Sequence, residues 1–386
     1  MTFRKLLPAA LLLAAGTTLL AGSTAGEDAR WGWLPPNVNS AYGKDTDDLY
    51  LKVMWVVGAI FFLTEGLLLA FMLMYRGRPG RKATYIHGSN IAELTWTVIP
   101  CGILIWLAVT QYDAWRNIRE NFPKPKDNPV VIEILANQFN WHFRQADKDG
   151  KLGTEASNAF TTTDSLHLPV NRKVLCRMIS KDVIHSFFIP FARVKQDVLP
   201  GMMTKVWYEI DRIPVWKVTG VEKRQLKSAR SGKIEPTEVL LGEMALLTEA
   251  EFNAKKVALP EAWNERSAGW DSRLRWESRD LDESKRKEYY YVVTSPKAVF
   301  RHAGKYEEGD ASSAEYVYHH YEIACAELCG LGHTGMRGVL YVEPADMYEK
   351  WRAEKEKYGE STEASKFRDL WDGIYSKTDW YQRGVK

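Results

Sequence analysis

Two long apolar runs mark the first third of the chain, Leu49 to Tyr75 and Ile91 to about Tyr112. Each is long enough to cross a bilayer as a helix, which needs about 20 apolar residues. A shorter run precedes them. Arg4 and Lys5 lead into apolar residues up to Leu20, and Ser23 and Ala25 then stand as a small-x-small pair, the pattern of a secretory signal peptide over residues 1–25. Beyond the linker NFPKPKDNP the period changes to two. VVIEILANQFNWHF, SLHLPVNRKVLCRMIS, KVWYEI, YYYVVTS and GVLYVEP alternate Val, Ile, Tyr and Trp with polar residues between Gly, Pro and Asn turns. That alternation predicts a β-sandwich or barrel. The end of the chain returns to a period of 3.6 in PADMYEKWRAEKEKYG, a surface helix with Tyr348 and Trp351 on its apolar edge.

Charge orients the runs. The short loop YRGRPGRKATYIHGSN carries Arg76, Arg78, Arg81 and Lys82, whereas Glu27, Asp28, Asp45, Asp47 and Asp48 precede the first span. By the positive-inside rule the loop is cytoplasmic, and both termini and everything after about Trp115 lie outside. Glu65 in the first span and Glu93 near the start of the second are ionisable groups where they are costly, which predicts protein-facing positions.

Residues 213–316 do not fit a compact sandwich. They hold 18 Lys+Arg against 18 Asp+Glu, with Thr248-x-x-Glu251 as a capping box and Trp263, Trp270 and Leu274 spaced for one helical face. The reading is an inserted, partly helical, charged subdomain. The expected organisation is a signal peptide at 1–25, an N-terminal segment with spans of about 49–75 and 91–113 within 26–118, a β-domain at 119–212 and 317–345, the insertion, and a helical tail at 346–386.

Composition excludes other classes. A formal charge of +3 over 386 residues gives no concentrated basic face for nucleic acid. Four cysteines, Cys101, Cys176, Cys325 and Cys329, are too few for a disulfide scaffold. Cys101 and Cys176 read as small apolar groups. His319 and His320 read as solvent-exposed or as neighbours of a ligand set rather than as ligands.

The candidate chemistry lies in Cys325-Ala-Glu-Leu-Cys-Gly-Leu-Gly-His-Thr-Gly-Met336. Cys325 and Cys329 could form a disulfide, as suits an external protein. His333 and Met336 argue instead for a metal: thiolate, imidazole and thioether together select copper, whereas zinc rarely recruits Met and calcium wants oxygen. One copper would use a single Cys with two His. Two thiolates fit two coppers better and then require a second histidine, for which His185 in KDVIHSFFIP is the candidate.

These residues carry a resemblance. Cys-x-Glu-x-Cys-Gly-x-x-His-x-x-Met, with Asp182-Val-Ile-His185, Gln138-Phe-Asn-Trp141, Glu93-Leu-Thr-Trp-Thr-Val-Ile-Pro100 and Phe191-Ala-Arg-Val-Lys-Gln-Asp-Val-Leu-Pro-Gly201, resembles subunit II of the cytochrome c oxidases. The resemblance implies a two-helix transmembrane hairpin carrying an all-β cupredoxin-like barrel with a dinuclear copper centre, CuA. Cys325 and Cys329 would bridge the coppers, His185 and Met336 would complete one, and His333 with the carbonyl of Glu327 the other. The Glu327 side chain would face a magnesium ion shared with subunit I. Glu93 would stand at the mouth of a proton channel. The implied function is electron entry from cytochrome c or a similar donor to subunit I, within a proton-pumping oxidase of further subunits in a bacterial inner membrane, the copper domain on the periplasmic side. The CuA subunit of a nitric oxide reductase is the nearest alternative, and a structural or copper-delivery membrane protein the next.

Two departures stand out. Where the family commonly has a tryptophan that takes the electron, this chain has Phe139, with Trp141 two residues on, so entry is expected through Trp141 or directly through an aromatic surface. The insertion also separates His185 from the copper loop. It is expected to extend from the barrel rim, where it would reshape the donor's dock.

Overall fold

The computed structural model describes residues 35–82, 85, 87–145, 160–227, 234–259, 289–293 and 297–358. The expected signal peptide, and the helical face of Trp263, Trp270 and Leu274, lie outside them. The chain divides into two compact units, Met1–Phe122 and Pro123–Lys386.

In the first unit, α1 (Gly43–Met74) and α2 (Asn90–Thr110) are both long and apolar enough to cross a membrane. Their ends are built by local chemistry. The Ser89 side chain accepts from the Ala92 N–H at the start of α2. At the end of α1 the Arg81 guanidinium donates to the Met74 carbonyl at 2.7 Å, putting a cation at the negative end of the helix. A short helix, α3 (Tyr112–Arg119), follows α2.

The second unit is a sandwich of two five-stranded sheets. Its strands are β1 (Val130–Asn137), β2 (Asn140–Gln145), β3 (Phe160–Thr163), β4 (Ser165–Pro169), β5 (Lys173–Ser180), β6 (His185–Ile189), β7 (Val194–Val198) and β8 (Thr204–Glu209). After an insertion the chain returns as β16 (Tyr321–Cys325) and β17 (Arg337–Glu343). One sheet has the order β3-β2-β1-β5-β8 and the other β4-β17-β16-β6-β7. The alternation read in KVLCRMIS is realised in β5, where Val174, Cys176 and Met178 point into the core. Phe143, Leu166, Phe187, Tyr208 and Leu340 are buried with them. Full burial of an aliphatic or Phe side chain stabilises by about 1.5–3 kcal/mol. Cys176 is part of this packing, its thiol pushed up to about 12 by burial, and is unreactive.

Glu133 and Arg144 face each other across β1 and β2 at 3.0 Å, both buried. His167 Nδ1 meets Glu343 at 2.8 Å, its ring stacked on Trp351 at 4.0 Å. Trp351 belongs to the terminal helix (Ala345–Tyr358), whose expected apolar edge of Tyr348 and Trp351 is buried with Phe160.

The insertion has the expected capping box: Thr248 and Glu251 cap a helix at Glu249–Ala254. Strands dominate its described residues. Those described are β9 (Ile213–Lys227), β10 (Ile234–Leu247), β11 (Val257–Leu259), β12 (Tyr289–Val293), β13 (Lys297–His302), β14 (Lys305–Asp310) and β15 (Tyr316–Tyr318). They form one sheet, β12-β10-β9-β15-β11-β13-β14, over a core of Trp216, Leu240, Ala258, Phe300, Ala314 and Val317. The long hairpin of β9 and β10 exposes a charged outer face, so balanced charge there marks the wet side of a sheet.

Candidate metal centre

Three structural pieces meet at one end of the sandwich. β16 delivers Cys325 into the loop 326–336, β6 begins at His185, and β1 turns into β2 through Gln138 and Phe139. The Ala326 N–H donates to the Ser186 carbonyl and the Cys325 N–H to the Met336 carbonyl, which closes the loop against its own exit and against β6.

The sulfurs of Cys325 and Cys329 lie 3.9 Å apart, and both are free thiols. His185 Nδ1 is 3.9 Å from Cys325 Sγ, His333 Nδ1 is 3.5 Å from Cys329 Sγ, and Met336 Sδ is 3.8 Å from Cys329 Sγ. The carbonyl of Glu327 accepts from Cys325 Sγ at 3.2 Å. His185, Cys325 and Cys329 are, among the described residues, the one set of three or more His, Cys, Asp or Glu with all ligand atoms within 4.8 Å. His185, Met336 and Cys329 are buried, whereas Cys325 and His333 are partly open.

Burial, and then the neighbouring Cys325 thiol, push Cys329 up to about 11. Cys329 is therefore neutral near pH 7 unless a cation holds it as thiolate. The donor set of two sulfurs, two ring nitrogens, a thioether and a carbonyl fits a soft or borderline metal, and fits copper.

Asp182 had no role in the sequence reading beyond its place in a motif. Its Oδ1 accepts from His185 Nε2 at 2.8 Å, which leaves Nδ1 as the lone pair facing the sulfurs. It also accepts from the backbone N–H groups of Gln138 and Val183, each at 2.7 Å. Burial would raise its carboxyl, but these hydrogen bonds outweigh it and hold the group below its ordinary value. Gln138 is tied a second time, its side chain donating to the Cys329 carbonyl at 2.6 Å. The signal was present as an acid three residues before the histidine, yet sequence could not show that a turn 44 positions away would complete it.

Phe139 covers the loop. A Cβ on Gly332 would sit 2.4 Å from the Phe139 ring, and Gly330 has φ of +128°, a backbone state that L side chains rarely adopt. Trp141 is fully buried, edge-on to His185 at 6.2 Å and to Phe187 at 5.5 Å. The alternation of β2 turns Trp141 into the core, so it presents no surface to a donor, and Phe139, half-buried, is the aromatic group at the surface of the loop.

Two further expectations change. His319 and His320 are buried, against Trp216 at 5.9 Å and Tyr341 at 5.5 Å respectively, because they lie where the insertion sheet joins the sandwich. The insertion itself departs from the end of the sandwich remote from the copper loop. The Tyr321 hydroxyl donates to the Arg212 carbonyl there, and β16 then runs from Tyr321 to Cys325, about 13 Å at 3.3 Å per residue. Glu327 is exposed on the loop. Glu93 lies in the first turn of α2, in the other unit.

The fold and site define a class: a two-span membrane protein whose β-domain gathers soft ligands for a metal. The family models agree. Residues 30–113 match the transmembrane domain of cytochrome c oxidase subunit II and residues 134–222 its periplasmic domain, the latter match ending inside β9 and before the copper loop. Over these residues the chain carries the transmembrane and periplasmic domains of cytochrome c oxidase subunit II.

It is 30% identical over 204 residues to cytochrome c oxidase subunit 2 of Alkalihalophilus pseudofirmus, covering 52% of this chain and 56% of that protein. With the alternative cytochrome c oxidase subunit 2 of Bradyrhizobium diazoefficiens the identity is 25% over 198 residues, 46% of this chain and 69% of the relative. With quinol oxidase subunit 2 of Bacillus subtilis it is 25% over 170 residues, 43% and 49%. The solved periplasmic domain of subunit II of cytochrome oxidase of Bradyrhizobium japonicum is 13% identical, with a TM-score of 0.28, covering 60% of this chain and 95% of that one.

Proposed function

We propose that the chain is the electron-entry subunit of a membrane terminal oxidase, holding a dinuclear copper centre that takes electrons from cytochrome c or a similar donor for a haem-copper subunit I that reduces oxygen and pumps protons. The observation that carries this is the convergence of Cys325, Cys329, His185, His333, Met336 and the Glu327 carbonyl at one end of a sandwich tethered to two membrane helices. Cys325, Cys329, His185, Met336, His333 and the Glu327 carbonyl would hold the coppers. Such a centre supplies one-electron storage with little change in bond lengths, because the charge is spread over two metals.

The chain's own residues do the rest. Asp182 fixes the His185 tautomer, and Gln138 ties Asp182 to the Cys329 carbonyl, so the ligands are held in place before metal arrives. Buried Met336 and Trp141 keep water from the inner side of the sulfurs. Phe139 is the surface aromatic through which the donor's electron enters, and Trp141 stands behind His185 as packing. The exposed Glu327 carboxylate would face a magnesium ion shared with subunit I, and Glu93 would stand at the mouth of a proton path into that subunit. The basic loop after α1 puts the copper domain on the periplasmic side of a bacterial inner membrane. A quinol-oxidase role needs no copper ligands, and the complete set here speaks against it.

Copper count and electron spin resonance on the copper-loaded chain test the reading. Two coppers per chain sharing one unpaired electron over both nuclei are expected. One copper with a mononuclear spectrum, or no copper and an oxidised Cys325–Cys329 pair in folded protein, would overturn it.

A further inference from the structure

Glu65 has no role in the copper site and lies where a carboxylate is hardest to place. The apolar run from Val53 to Tyr75 is bounded by Lys52 and Arg76, and Glu65 is its thirteenth residue. At 1.5 Å per residue it lies about 18 Å from one end and 15 Å from the other, at the middle of a bilayer's hydrocarbon.

Among the described residues no hydrogen bond or ion pair reaches Glu65. α1 carries no other ionisable residue between Lys52 and its end, and α2 carries only Glu93, another acid. The backbone acceptor that a side chain at this position can reach is the carbonyl four residues earlier, that of Phe61. Thr64 already donates to that carbonyl at 2.9 Å, and to the Ile60 carbonyl at 3.0 Å. A polar group left unpaired in hydrocarbon is costly, so this face of the helix calls for a partner beyond the described residues.

The helix around it is two-faced. At 100° per residue, Met54, Gly58, Phe61, Leu69 and Met72 share the stripe of Glu65. The opposite stripe, Val56, Ile60, Leu63, Leu67 and Met74, is wholly apolar. Gly58, two turns from Glu65, lets another helix backbone approach closely on the same face.

We infer that the Glu65 stripe of α1 is the face that packs on a transmembrane helix of a partner subunit, and that this helix brings a hydrogen-bond donor or a cation to the bilayer midplane opposite Glu65. The inference rests on the proposed role as an oxidase subunit and adds which face docks and what chemistry meets it. The opposite stripe faces lipid.

The test uses the intact complex purified through this chain. A photoreactive residue, p-benzoylphenylalanine, replaces Leu69 in one variant and Leu67 in another. Crosslinking of Leu69→p-benzoylphenylalanine to a membrane helix of a co-purifying subunit, beside a polar residue, with lipid adducts only from Leu67, is expected. E65Q should keep more than half of the co-purified partner and E65L should lose it about tenfold, with copper content unchanged in both. Equal crosslinking from both positions, lipid adducts at both, or E65L retaining its partner at the unsubstituted level would overturn the inference. Copper content is read on the same samples, so loss of the copper assignment registers separately from loss of the docking face.

Discussion

Asp182→Asn isolates what holds His185. The carboxylate accepts three N–H groups, from Gln138, Val183 and His185, at 2.7, 2.7 and 2.8 Å. An amide has one acceptor oxygen. If it takes the place of Oδ1 it keeps Val183 and His185, but its NH2 then opposes the Gln138 N–H; flipped, it keeps Gln138 and opposes both Val183 and His185. The first orientation is favoured, in which one good hydrogen bond is lost and two donors face each other, a cost of roughly 1–3 kcal/mol. The Asp182 side chain is 30% exposed, so water relieves part of this and about 1–2 kcal/mol is expected. The metal should feel it more than the fold, since removing a partner of a ligand histidine typically costs about 10–100-fold in affinity. Chemical denaturation of the metal-free chain gives the first quantity and copper titration against a competing chelator the second. Stability within about 0.5 kcal/mol of the parent, together with unchanged copper affinity, would refute the claim that Asp182 sets the tautomer and position of His185.

Other outcomes follow from the same geometry. Met336→Leu conserves volume at a fully buried site, so stability should change by less than about 1.5 kcal/mol, while loss of the thioether raises the reduction potential seen in potentiometric titration. Gly332→Ala places a Cβ against the Phe139 ring and should displace it, slowing reduction by the donor in stopped-flow measurement while copper content is retained; an unchanged rate would remove Phe139 from the entry path. Trp141→Ala should cost about 3–5 kcal/mol by denaturation because it empties the core behind His185, so slow electron entry in that variant has a structural origin. His319 is held neutral by burial, pushed down to about 4. The unfolded chain takes up that proton below about pH 6.5 while the folded chain does not, so the stability is complete above pH 6.5 and is lost as pH falls toward 4, by roughly 3 kcal/mol in all. His319→Phe should flatten the pH dependence of stability over that window, and parallel curves for the two proteins would contradict it.

The sequence alone determined what depends on local pattern. Apolar runs of membrane length, the period of two in β5, the capping box at Thr248, and the spacing of soft ligands from Cys325 to Met336 are all set by neighbours within a dozen residues. The β character of 213–316 was less legible, because a two-stranded ribbon with a wet face has the charge of a solvated helix, and only pairing across β9 and β10 distinguishes them. What long-range packing alone decided is the meeting of His185 with a loop 140 residues away, the tie from Gln138 through Asp182 to that histidine, the inward turn of Trp141, the burial of His319 and His320 at a sheet junction, and the departure of the insertion from the end remote from the copper loop. Each of these depends on which strands pair and in what register, and register is settled by the whole core at once.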